Sequence, residues 1–151
     1  MRLSPKLASA IGASLLILTA CGEKTDAPSV RSLGGAAETG VKTGDKKFDR
    51  AIECWALTSS AYFAHLAFGS EQTGNVPNPD QEIYGNWSKE MALMAHDKGM
   101  NYEEYQELQK KAQKPTRLYK LQVEPEVANA IQSCIDAVPP LNPRPDPSWP
   151  T

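Results

Sequence analysis

The apolar positions of this chain form two patterns: an unbroken run near the start, and stripes at helical spacing from residue 45 onward. Over 45–68, Phe48, Ile52, Trp55, Ser59, Tyr62 and Leu66 recur at steps of four and three, which places them on one face of a helix. Asp45 has the short acceptor side chain of an N-cap, and Gly69 can leave the helix in a left-handed conformation. From Cys54 to Phe68 only His65 can carry charge, and Leu57 and Phe68 lie opposite the main stripe. A helix apolar on most sides is buried on most sides, so this segment is expected to be the central helix.

Three further helices follow from the same reading. Gly74, Pro77 and Asn78 mark a loop, and Asn78-Pro79 has the order of an N-cap followed by proline at the first helical position. Ile83, Tyr84, Trp87, Met91 and Met94 give the second helix its apolar side, and Gly99 ends it. Asn101 with Glu104 three residues later resembles a capping box for a third helix striped by Tyr102, Tyr105, Leu108 and Ala112. Glu107 and Lys111 are spaced for a surface ion pair on that helix. Pro115 breaks it, and residues 118–123 read as a short helix or an extended connector. Pro125 opens a fourth helix whose buried face is Val127, Ile131, Cys134, Ile135 and Val138, stopped by Pro139-Pro140. The expected fold is therefore all-α: a small four-helix domain over 45–139.

The segments on either side lack such stripes. Residues 22–44 are rich in Gly, Ala, Ser and Thr and read as a flexible tether spanning on the order of 25 Å. Six of the last 13 residues are proline, so 140–151 is expected to be an extended, polyproline-like tail that stays clear of the core. Its PxxP spacings and Trp149 are the features there that could meet a partner.

The run at the start has a different meaning. Arg2 and Lys6 precede an uncharged stretch from Leu7 to Ala20. That is about 14 residues, roughly 21 Å as a helix, too short for a hydrocarbon core of about 30 Å. It fits the apolar region of a secretory signal, 1–20. The run closes on Leu18-Thr19-Ala20-Cys21, which resembles the lipobox of bacterial lipoproteins. The resemblance implies that the Cys21 sulfur receives a diacylglyceryl group, that the chain is cut before Cys21, and that the new amino group is acylated. Two or more acyl chains give a stable anchor, so membrane lipid is the implied first partner. Gly22 stands where an aspartate would signal retention at the inner membrane, which favours the outer membrane.

Charge and cysteines sharpen this picture. Removing Arg2 and Lys6 with the signal leaves about 14 of the 16 basic residues against 18 acidic ones, with no basic block, so nucleic acid has no electrostatic footprint here. With lipid on Cys21, the three cysteines reduce to the pair Cys54 and Cys134. In an oxidising compartment an even pair becomes a disulfide, and closing a loop of about 80 residues stabilises by up to ~4.5 kcal/mol in the chain-entropy model.

Catalytic and metal motifs are missing from the sequence. Redox dithiols place two cysteines two residues apart at a helix start, whereas Cys54 is mid-helix and Cys134 near the end of another. His65 and His96 are the only histidines, with no HExxH, CxxCH or GxSxG spacing and no glycine-rich phosphate loop. His65 reads as a partly buried, hydrogen-bonded ring and His96 as exposed. Met91 and Met94 read as core filling. Glu103, Glu104, Glu124 and Glu126 sit at helix starts, where the dipole favours negative charge. No catalytic residue, metal ligand or cofactor is expected. The reading is a non-catalytic binding or scaffolding module facing the periplasm, with an envelope protein as its partner. The alternative is a periplasmic enzyme or redox or metal protein using Cys54, Cys134, His65 or His96.

Overall fold

The computed structural model describes residues 40–113 and 123–149. These residues form four helices, α1 (Lys46–Phe68), α2 (Gln81–Asp97), α3 (Tyr102–Gln113) and α4 (Pro125–Asp136), with no strand among the described residues. The all-α, four-helix expectation is met. The signal, Cys21 and most of the tether lie outside the described residues, as do 118–122 of the ambiguous connector.

Helix α1 packs against each of the other three helices. Its length without charge explains this: Cys54 through Ser59 are all buried, including Leu57 on the side opposite the main stripe. Phe48, Ile52 and Leu57 are fully enclosed, each such side chain contributing about 1.5–3 kcal/mol by leaving water. Thr58 and Ser59 are tolerated in this core because their hydroxyls donate back to the carbonyls of Cys54 (2.6 Å) and Ala56 (3.3 Å). Burial stops at Ala64, so Leu66, counted on the stripe, is 69% exposed.

Helix ends follow local chemistry. Asp45 accepts from the N–H groups of Lys47 and Phe48, capping α1. Lys98 reaches the same carboxylate at 2.6 Å while lying over the Phe48 ring, so one lysine ties the C-terminal end of α2 to the start of α1. In α3, Asn101 accepts from the N–H of Glu104 and Glu104 accepts from the N–H of Asn101, both at 2.9 Å, which is the reciprocal capping box. Helix α2 ends in a Schellman turn: the N–H of Met100 donates to Ala95 O and that of Gly99 to His96 O. Gly99 sits at φ +76°, a conformation that a side chain would strain.

Five expectations are corrected. Helix α2 starts at Gln81 with Asp80 as cap, because the Asp80 carboxylate accepts from the Ile83 N–H at 2.8 Å; Asn78 and Pro79 belong to the loop. Glu107 pairs with Lys110, one residue closer than Lys111, at 2.8 Å. Tyr102 is half exposed. The C-terminal tail does not stay clear of the helices: Trp149 packs against the core. Val41, placed in the tether, also packs there, and both the N–H and the hydroxyl of Thr43 donate to Asp49 Oδ1 at 2.7 Å.

Candidate functional site

Cys54 and Cys134 are joined, with Cα atoms 5.2 Å apart, and both are fully buried. The bond ties the middle of α1 to the last turn of α4. Arg50 reinforces the same contact one turn earlier in α1, donating to the Ser133 hydroxyl at 2.9 Å. A buried disulfide between two helices is shielded from thiols, which is the setting of a structural bond and not of an exchanging one.

His65 is accounted for by its neighbours. Its Nε2 lies 2.9 Å from the Val76 carbonyl and its Nδ1 lies 2.8 Å from the Thr73 hydroxyl. A carbonyl only accepts, so Nε2–H donates to Val76, while Nδ1 shares a hydrogen bond with the Thr73 hydroxyl, which also reaches the Gly69 and Ser70 carbonyls. The ring thus pins the 69–80 loop against the last turns of α1. On the far side of that loop, the Asn75 side chain donates to Val123 O (2.8 Å) and accepts from Val123 N–H (3.0 Å), holding the chain just ahead of α4.

His96 is exposed and lies beside Trp149, edge to face at 5.6 Å. The structure brings Cys54 to Cys134 and leaves the two histidines in separate settings, one on a loop clasp and one against the tail. Among the described residues no three His, Cys, Asp or Glu side chains gather as a metal site would require. Met91 is fully buried, and Met94 packs beside the core as expected.

Two surfaces stand out. The first lies at the C-terminal end of α1, where Phe63 and Leu66, 50% and 69% exposed, share a face one turn apart. The Phe63 ring touches Tyr62 and Tyr84 at 5.3 and 5.7 Å between centroids, making an aromatic shelf in a stretch of helix without formal charge. The second is the seat of the tail along α2. Asn86 donates to the Pro139 carbonyl at 3.1 Å, Asn142 donates to Glu90 at 3.3 Å, and Arg144 makes a two-pronged pair with Asp97 at 2.7 Å on each prong. Asp146 lies 3.6 Å from Lys89. Trp149 then stacks on Tyr105, with centroids 4.8 Å and planes 15° apart. Hydrogen bonding to Arg144 holds the Asp97 carboxyl below the usual carboxylate range. Burial pushes the Tyr105 phenol up to about 12, against the opposing pull of a hydrogen bond from Ser88.

The sequence marked Trp149 as a feature of the tail but not its seat. The one available signal was an aromatic residue at the end of a segment built, Leu141 apart, of proline and polar residues. Among the described residues, no helix is long and apolar enough to cross a membrane. Comparison with known proteins gave no matching family model, no matching curated protein and no matching solved structure, so the architecture and the sequence alone carry the functional argument.

Proposed function

We propose that this chain is a lipid-anchored protein of the bacterial cell envelope, held through Cys21 and facing the periplasm, whose helical domain is a non-catalytic binding or scaffolding module. The observation that carries the anchor is the charged start, the short uncharged run and its close on Leu18-Thr19-Ala20-Cys21. Gly22 after the cysteine favours the outer membrane. The module reading draws support from the way the polar chemistry is used. The cysteine pair is spent on a buried bond, and His65 is spent on holding a loop, while exposed apolar surface is presented at Phe63 and Leu66. Contiguous exposed apolar residues are the usual mark of an interaction surface.

Metabolic labelling with a fatty acid tests the anchor: label enters the wild type and is lost in Cys21→Ser. Photo-crosslinking from position 66 in native envelope tests the module, with a discrete adduct to an envelope protein as the expected product. Unmodified Cys21 in the intact mass, or a mature chain starting elsewhere, refutes the anchor.

A further inference from the structure

The tail is seated by an unusual combination of contacts. Apart from the Pro139 carbonyl, its bonds to the helices run between side chains. Arg144 and Asp97 are each about half exposed, and Asp146 is 86% exposed, so water and salt weaken these pairs. Pro139, Pro140, Pro143, Pro145 and Pro147 keep the segment extended before it docks, so it loses little conformational entropy on docking. What receives it is an aromatic surface formed by Tyr105, Tyr102 and His96, with the Asp97 carboxylate beside it. Aromatic-lined grooves with a flanking charge are how folded domains recognise proline-rich peptides. Here the ligand is the chain's own end.

We propose that the surface of α2 and α3 on which the tail sits is a recognition site for extended, proline-spaced peptides of partner proteins that carry an arginine followed five residues later by a tryptophan, and that the tail covers it in cis until such a segment displaces it. This deepens the binding-module reading and rests on it, but not on the lipid anchor. The tail serves as the template for the partner: Arg144 for the Asp97 fork, Trp149 for the Tyr105 face, prolines between. A short tether holds an attached ligand at an effective concentration in the millimolar range, so a free peptide with the same contacts competes poorly until the tail is weakened.

The experiment uses a soluble form of the chain starting at residue 22, without the lipidated Cys21, with the disulfide intact, and a fluorescent peptide of residues 139–149 as probe. Trp149→Ala is expected to bind the peptide at least about tenfold more tightly than wild type does, because it removes the cis competitor. A probe with its tryptophan replaced by alanine is expected to bind neither protein. Arg144→Ala, an exposed change, provides a second unlatched variant. Hydrogen exchange on wild type is expected to open residues 139–149 ahead of the α1 core. No peptide binding by a variant that still melts cooperatively overturns the proposal, as does equal binding by wild type and variants. So does loss of folding in both variants or tail exchange only together with the core, since the tail is then part of the fold. Any of these failures leaves crosslinking from position 66 as a separate test of the module, on a different surface.

Discussion

The indole N–H of Trp87 donates to the carbonyl of Cys134 at 2.9 Å, inside the core. The last four carbonyls of a helix have no partner within it. In α4 those of Ser133 and Ile135 are taken by the N–H groups of Ala137 and Val138, and that of Cys134 is taken by an indole from α2. The residue that ties α4 to α1 through sulfur is thereby tied to α2 through its backbone. Trp87→Phe keeps a ring in place and removes the donor, leaving a buried carbonyl unpaired. The expected loss is about 1–3 kcal/mol, read as a lower denaturant midpoint at unchanged slope, with the disulfide still formed.

The disulfide itself has two separable consequences. Both sulfurs are enclosed, so alkylation without reductant is expected to leave Cys54 and Cys134 unlabelled in the native protein. Cys54→Ala with Cys134→Ala is expected to cost about 2–5 kcal/mol in equilibrium unfolding, since the bond closes a separation of 80 residues. A structural bond also predicts that whatever the module binds is still bound by the double mutant at low temperature. A stable double mutant that has lost its biological activity would restore the redox alternative.

What could be read from the sequence was what is written locally or by elimination. Asp45, the Asn101 and Glu104 pair and the α4 stripe each act within one or two turns, so spacing alone located them. The cysteine pairing followed from there being two left after Cys21. The start of α2 was misplaced because Asn78-Pro79 and Asp80 are both good starts, and the choice depends on which acceptor reaches an N–H three residues on. The clasp of Asn75 on Val123 and the seat of Trp149 join residues more than forty apart, for which periodicity carries no signal. Leu66 shows the converse limit: spacing gives a face of a helix but not how far along it the partners extend.

Acid is expected to destabilise the domain through a few capping and pairing carboxylates. Asp45 is held below the ordinary range first by its hydrogen bond to Lys98 and then by the α1 backbone, and Asp49 by Thr43. Asp97 is lowered by Arg144, and Glu107 by Lys110. A carboxyl lowered on folding contributes stability that is fully present above its unfolded value of about 4 and is lost as pH falls through the folded value. Asp45→Asn and Asp97→Asn should therefore differ from wild type at pH 7 and converge on it below about pH 4 in urea midpoints measured against pH. Because Asp97 and Arg144 are exposed, the difference for Asp97→Asn should also shrink in high salt.

The stacking of Trp149 on Tyr105 predicts an alkaline signature as well. Tyr105 is 6% exposed and its phenol is raised to about 12, chiefly by burial, and the tryptophan ring supplies part of that cover. A phenol raised on folding stabilises the native state below its unfolded value of about 10, and that contribution is lost as pH rises towards the folded value. Trp149→Ala removes the stack, worth about 0.5–1.5 kcal/mol beyond the area it buries, and lets water reach the phenol. The domain should remain folded with a melting temperature lower by several degrees, about 4–8 °C per kcal/mol at this size. Of the five tyrosines, one should then ionise nearer pH 10 than it does in wild type, seen as a shift of phenolate absorbance to lower pH. Tyr105→Phe identifies that group: it keeps the aromatic stack and should erase the shifted component. An unchanged titration in Trp149→Ala would mean that the tail does not cover Tyr105 in solution.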